Sequence, residues 1–356
     1  SAKNVEYTRI RLENSGMKPI KINGKMCSNV GEVRMVASPA LSAFMEAWFN
    51  PSCDYVIGHT SGSTGKPKEI KLLKADMVQS ARLTNRFFSL GAGSRFFLCL
   101  SPDYIAGKMM IVRAVEAGGE IVEEKPSNNP LATYEGEPFD LVAVVPSQAQ
   151  ALVEHPERLR FVRNMIVGGG AVSDSLRRDL ARLGVEAYST YGMTETCSHV
   201  ALSRMCADIR PYRALPPVTF STDDRGCLVV HTPQFSFPSL TTNDVVELLS
   251  EQEFRCIGRY DNVINTGGIK VFPEDIEKQI ASLMNCRYYI AARPSEKWGS
   301  EVVLVLESNP LSDNEKTSLL AALKSVLPVY SVPKDIVCFP VFRETSSGKV
   351  IREKLC

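Results

Sequence analysis

The sequence predicts an α/β protein with a large N-terminal domain of mainly parallel sheets, a β-rich subdomain, and a small α+β domain at the C-terminus. Three observations predict it. Strand-like and helix-like apolar patterns alternate over residues 54–246, as a parallel sheet with crossover helices requires. Over 218–257 the apolar runs shorten and are broken by turn chemistry such as Thr222-Asp223-Asp224-Arg225-Gly226, which reads as an antiparallel region. After Asp261 a separate set of strands and helices begins, dividing the chain into a core of 1–261 and a C-terminal domain of 262–356.

The elements come in order. Asp54 to Gly58 reads as a short strand, and the apolar positions from Ala75 to Phe88 fall at helical spacing. Arg95 to Leu100 reads as a buried strand, Ile105 to Ala117 as a helix, and Leu141 to Val145 as a strand stopped by Pro146. Asn164 to Val167 is a strand running into Gly168-Gly169-Gly170. Ser173 caps a helix from Asp174 to Leu183 that stops at Gly184. The C-terminal set has a Gly-Gly loop, a helix from Glu274, strands near 288–291 and 302–306, a helix from Asp313 and a strand near 336–339. Ser312 and Glu315 form a capping box for the helix from Asp313.

Composition narrows the function classes. Charged residues make up 23% and the net charge is +1, so neither nucleic acid nor an anionic membrane is expected as a bulk electrostatic partner. No apolar run approaches membrane-spanning length, and Ser1-Ala2-Lys3-Asn4 has no apolar signal region, so a cytoplasmic location is expected. The ten cysteines are scattered without a C-x-x-C. Cys197 and Cys206 flank His199, but no second cluster completes a zinc site, so the cysteines read as free thiols packed as small hydrophobes.

The strongest local signal is the stretch from His59 through Thr60-Ser61-Gly62-Ser63-Thr64-Gly65-Lys66 to Pro67-Lys68. It lies between a strand and a helix. Glycines and hydroxyl residues at this density make a loop whose N–H and OH groups can wrap phosphate oxygens, and two lysines add charge. It is not a Walker A loop, because Thr60 stands where that motif needs Gly and Pro67 where it needs Ser or Thr. Further along, the stretch from Tyr188 to Thr196 offers an aromatic ring in Tyr191, a hydroxyl in Thr194 and a carboxylate in Glu195. These suit a purine, a phosphate and magnesium respectively. Thr241-Thr242-Asn243-Asp244 offers a carboxylate for ribose hydroxyls. Gly258-Arg259-Tyr260-Asp261-Asn262 leads to Gly267-Gly268-Ile269-Lys270, and Ser346-Ser347-Gly348-Lys349-Val350-Ile351-Arg352 stands near the end.

These segments, in this order, resemble the adenylate-forming superfamily of acyl-CoA synthetases, peptide-synthetase adenylation domains and luciferases. The resemblance runs from about His59 to Arg352. It implies that Thr60 to Lys66 hold the β- and γ-phosphates of ATP, that Tyr191 and Gly192 meet adenine, and that Thr194 touches the α-phosphate. Glu195 would bind Mg2+, and Asp244 and Arg259 would hold the ribose. Gly169 and Gly170 would line the adenine and acyl pockets. Asp261 would be the hinge of a mobile C-terminal domain, Gly267 and Gly268 would border the coenzyme A channel, and Lys349 would be the adenylation lysine. Implied partners are ATP, Mg2+, coenzyme A and a small carboxylic acid, with a homodimer left open. In the implied reaction two anions meet, so charge repulsion and positioning dominate the barrier, and a metal and a lysine at the reacting oxygens lower it.

Within the superfamily, Val144-Val145-Pro146-Ser147-Gln148, Gly168-Gly169-Gly170-Ala171 and Tyr191 to Ser198 resemble the o-succinylbenzoate–CoA ligase family of menaquinone biosynthesis. Other acyl-CoA ligases, and an adenylation enzyme feeding a carrier protein, share the superfamily motifs. A serine hydrolase is disfavoured because no G-x-S-x-G occurs. The chain also departs from the pattern. The stretch before His59 is short, implying a reduced N-terminal subdomain. Tyr104 stands where the family's P-x-x-H-x-x-G has His, and Asn243 stands where Gly precedes the ribose Asp. Met109, Met110, Val200, Ser198 and His199 are candidates to face the acid, each with a packing role as the alternative.

Overall fold

A computed structural model describes residues 16–60, 68–344, 350–353 and 355. The described residues form two compact units, one holding 16–60, 68–219 and 232–238, the other holding 220–231 and the described residues from Ser239 onward.

The first unit is built on a mainly parallel sheet. Leu141–Val144 pairs in parallel with Arg95–Leu98 on one side and Met165–Val167 on the other, and Met165–Val167 pairs in parallel with Ala187–Gly192. Beyond Arg95–Leu98 come Glu120–Glu123 and then Ile20–Ile22, both parallel. At the other end His199–Arg204 and Tyr212–Ala214 add antiparallel. Leu141–Val144 is buried at every position, as a strand covered on both faces must be. One flank carries Phe97, Phe139, Val144, Leu152 and Val167 in a shared core; each such side chain contributes about 1.5–3 kcal/mol by leaving water.

Helix Ile105–Ala117 is buried over Met109 to Ala114, which explains its nearly unbroken apolar sequence. It approaches the chain before it so closely that a Cβ on Gly107 would lie 2.2 Å from Ser101 O, so only glycine fits there. A hairpin of Ile20–Ile22 with Lys25–Cys27 and helices Val30–Val36 and Pro39–Phe49 precede the region in which sequence patterns define elements. Three-residue strands are too short to show a period, which is why the pattern does not reveal them. Strand Tyr55–Thr60 returns antiparallel as Lys68–Leu73, with Thr60 opposite Lys68.

The second unit is α+β. Cys227–His231, Ser239–Ser250 and Glu253–Arg259 run antiparallel. A further sheet holds Ile264–Thr266, Ile269–Val271, Tyr288–Ser295 and Gly299–Glu307, with Asp335–Phe339 parallel to Gly299–Glu307. Helices Pro273–Ile280 and Asp313–Val326 cover it through Ile276, Ile280 and Leu323. The Ser312–Glu315 capping box is present. Residues 239–261 group with the C-terminal residues because helix Pro273–Ile280 packs on Glu253–Arg259: Glu274 accepts from the Arg259 N–H at 3.3 Å and Lys278 Nζ donates to Cys256 O at 3.1 Å. The described cysteines are free, and four of them (Cys27, Cys99, Cys197 and Cys227) are buried. No described helix is long and apolar enough to cross a membrane.

Candidate active site

In the first unit the candidate residues gather where parallel strands end. Met165–Val167 runs out into Gly168-Gly169-Gly170, and its neighbour Ala187–Gly192 ends with Tyr191 and Gly192. Leu141–Val144 ends beside them at Val145-Pro146. The carboxyl ends of adjacent parallel strands are where open α/β sheets bind ligands. Gly169 has φ +79°, a conformation glycine adopts without strain. Thr190 Oγ1 donates to Val167 O at 3.3 Å, tying the two strand ends together.

Gly192 is required by a close approach. A Cβ there would lie 2.3 Å from Ser198 O and 2.5 Å from His199 Cα, because His199–Arg204 turns back on Ala187–Gly192 through a register shift between His199 and Ala201. Between these strands the chain makes a tight turn, Thr194–Thr196, and then Cys197 at φ +63°. The turn presents Glu195 to solvent with no hydrogen-bond or ion-pair partner among the described residues. An exposed, uncommitted carboxylate at a strand end suits a hydrated Mg2+, which keeps several waters and takes few protein ligands. Tyr191 lies 5.8 Å from the Tyr212 ring, tilted by 57°.

Beside this turn is a buried polar group of which sequence patterns flag only Ser198 and His199. Arg113 is 2% exposed, and its Nη2 donates to Ser198 Oγ. Its Nε has no partner, and no carboxylate pairs with it among the described residues. Burial pushes the guanidinium down to about 9, which leaves it charged at neutral pH. His199 is buried next to it, with Nε2 2.9 Å from Thr84 Oγ1 and Nδ1 3.3 Å from Ser198 Oγ. Burial first, and then the Arg113 charge, hold His199 well below its usual range, so it is neutral. The side-chain oxygen of Asn85, Oδ1, has no partner either, while its side-chain amide donates to Arg113 O at 2.9 Å. A buried cation without a counter-ion is unfavourable for stability alone, so a buried orphan group of this kind needs an explanation beyond packing. The signal that would have found Arg113 is a lone charge inside the apolar run Met109-Met110-Ile111-Val112-Arg113-Ala114. Met109, Met110 and Val200 are fully buried packing residues, and Tyr104 is exposed just ahead of helix Ile105–Ala117.

In the second unit Asp244 and Arg259 face each other across paired strands, and Arg259 Nη1 donates to Asp244 Oδ1 at 3.1 Å. Arg259 Nη2 also reaches Asp261 Oδ2 at 3.1 Å, and Asn243 Nδ2 donates to the same oxygen at 3.3 Å. The side chain that replaces glycine at 243 thus touches the candidate hinge carboxylate. Gly267 and Gly268 form the two-residue turn between Ile264–Thr266 and Ile269–Val271, with φ +57° and +81°. A turn with both central residues at positive φ favours glycine for backbone reasons alone. Ser61 to Lys66 and Lys349 lie outside the described residues.

Glycine-lined ends of parallel strands, next to a hydroxyl–carboxylate turn, are features of a ligand-binding α/β enzyme. A family model described as AMP-binding enzyme matches residues 21–229, more than half of the chain, and the chain belongs to that family. Among curated relatives, a 2-succinylbenzoate–CoA ligase of Listeria monocytogenes is 25% identical over 84% of this chain and 69% of its own length. An indoleacetate–CoA ligase of Aromatoleum aromaticum is 26% identical over 85% of this chain and 67% of its own. Among solved structures, an AMP-forming acyl-CoA synthetase/AMP-acid ligase II-like protein of Dyadobacter fermentans is 35% identical. The match covers 88% of this chain and 92% of that one, with a TM-score of 0.59. An o-succinylbenzoate–coenzyme A synthetase of Bacillus subtilis, in complex with ATP and magnesium, shares the fold at a TM-score of 0.68, with 21% identity over 83% of this chain and 68% of its own.

Proposed function

We propose that the protein is an AMP-forming acid–CoA ligase whose acid carries a second anionic group, with o-succinylbenzoate as the substrate. The observation that carries the second anion is Arg113, a buried cation with an orphan Nε and no carboxylate partner among the described residues, bonded to the residue three positions after Glu195. The 2-succinylbenzoate–CoA ligase relative supports the same acid. Indoleacetate, named for the other relative, has a single carboxylate, and Arg113 would then stay uncompensated.

In the first half-reaction the acid's carboxylate oxygen attacks the α-phosphorus of ATP, and the bond to pyrophosphate breaks. In the second, the sulfur of coenzyme A attacks the acyl carbon and AMP leaves. Thr60 to Lys66 are assigned to the β- and γ-phosphates, Tyr191 and Gly192 to adenine, and Thr194 to the α-phosphate. Gly169 and Gly170 border the adenine and acyl pockets. Asp244 and Arg259 suit ribose hydroxyls, since their paired side chains offer an acceptor and a donor on one strand pair. Glu195 is the residue that would hold Mg2+, which when bound neutralises phosphate charge. Lys349 is assigned to the charge that builds on the reacting phosphate, Asp261 to a hinge between 1–261 and 262–356, and Gly267 and Gly268 to the coenzyme A channel.

The test is a substrate panel on the purified protein, following pyrophosphate release and CoA-thioester formation with o-succinylbenzoate, indoleacetate, benzoate and a fatty acid. Preferred turnover of o-succinylbenzoate supports the assignment. Far better turnover of a monocarboxylate sinks the substrate while leaving adenylate formation intact. Pyrophosphate release without any free CoA thioester points instead to transfer onto a carrier protein.

A further inference from the structure

Thr196 is fully buried, yet its side chain is polar and all its hydrogen bonds are to backbone. Its Oγ1 accepts from the Met193 N–H at 3.0 Å and donates to Ser198 O at 2.7 Å, with Met193 O also at 3.0 Å. One hydroxyl therefore ties together both ends of the turn that carries Thr194 and Glu195. The turn needs such a tie. Cys197 sits at φ +63°, which costs a non-glycine residue free energy unless the surroundings impose it. Ser198, at one end of the tie, is the residue Arg113 holds; Met193, at the other, leads directly into Thr194.

We infer that Thr196 is a positioning residue for adenylation. It fixes the separation between the Thr194–Glu195 end of the turn, which faces the nucleotide, and the Ser198–Arg113 end, which faces the acid. The inference rests on the roles proposed above for Thr194 and Glu195. Bringing an acid oxygen up to a phosphorus atom in line tolerates little error, and misplacement by about 1 Å costs on the order of 10²-fold. Removing the hydroxyl leaves the Met193 N–H and Ser198 O without their shared partner, so the turn relaxes toward a less strained path.

Thr196→Val, nearly isosteric, is the direct test, measured in each half-reaction with Thr196→Ser and Glu195→Gln alongside. Pyrophosphate release should fall about 10- to 100-fold in Thr196→Val, while thioester formation from supplied acyl-adenylate changes less than about threefold, since no acid has to be brought to phosphorus there. Thr196→Ser, which keeps the oxygen, should restore adenylation. Equal loss in both half-reactions, no loss in either, or failure of serine to rescue overturns the inference. If Thr196→Val does not fold, Thr196→Cys, whose thiol is a weak donor, carries the same comparison. Normal adenylation by Glu195→Gln would remove the reading of the turn on which the inference stands; a dead Glu195→Gln beside an unaffected Thr196→Val would remove this inference alone.

Discussion

Arg113 donates a hydrogen bond to Ser198 across 85 residues of sequence, joining the buried helix Ile105–Ala117 to the turn that carries Thr194 and Glu195. The guanidinium has no carboxylate partner among the described residues, and the proposed substrate supplies an anion for it. Replacing Arg113 with Gln should raise KM for o-succinylbenzoate about 10- to 100-fold, the worth of a charge-assisted hydrogen bond, and leave monocarboxylates much less affected. Steady-state kinetics on both acid types checks this. An equal loss on both would assign Arg113 to packing alone.

Lys349 is expected to act in one half-reaction. If it neutralises charge as pyrophosphate departs, Lys349→Ala should slow adenylation by about 10²–10³-fold or more. Thioester formation from supplied acyl-adenylate should suffer far less. Pyrophosphate release measured against acyl-CoA production separates the two, and equal loss in both would refute the division.

Asp261 is held by Arg259 and Asn243 in the short turn Tyr260–Asn262. Proline fixes φ near about −65° and restricts the residue before it. If residues 262–356 rotate about Asp261 between half-reactions, Asp261→Pro should keep most adenylation and lose most thioester formation. A variant that folds and loses both equally, or neither, argues against rotation at this residue.

His199 gives a pH dependence of stability. Its folded pKa lies well below the usual 6.5, so below pH 6.5 the unfolded chain takes up a proton that the folded chain refuses. The stability it supports is present above 6.5 and is lost as the pH falls toward the depressed value, by at most about 1.4 kcal/mol per pH unit. His199→Gln, which cannot titrate and can still bond Thr84, should flatten this part of the curve. Denaturation midpoints between pH 7 and 5 for the two proteins are the measurement; parallel curves would contradict it.

A second acid-limb effect belongs to the C-terminal residues. Arg287 grips Glu307 with Nε at 2.5 Å and Nη2 at 2.6 Å, and the Phe342 N–H donates to the same carboxylate at 2.8 Å. The Arg287 bonds, then the Phe342 N–H, hold the carboxyl down to about 2. Its contribution is present above 4.5 and is lost as the pH falls through about 2. Glu307→Gln should make stability less dependent on pH across that window, and an unchanged slope would refute it.

The sequence by itself determined whatever is local. Apolar spacing was enough for the helix over 105–117 and for the strands expected over 95–100 and 141–145, which the structure ends at Leu98 and Val144, because side-chain period reports which face is buried. Turn chemistry was enough for the caps at Ser173 and Ser312, since a cap is made within four residues. The ordered motifs were enough for the family. Tertiary structure alone decided which strands became neighbours, so that Val145-Pro146, Gly168-Gly169-Gly170 and Gly192 end up at adjoining strand ends. It alone set Asp244 opposite Arg259 and left Arg113 against Ser198 without a counter-ion among the described residues. The reason is physical: sheet register and the burial of a charge depend on contacts between residues far apart in the chain, and a local pattern holds no record of which distant backbone will come to lie beside it.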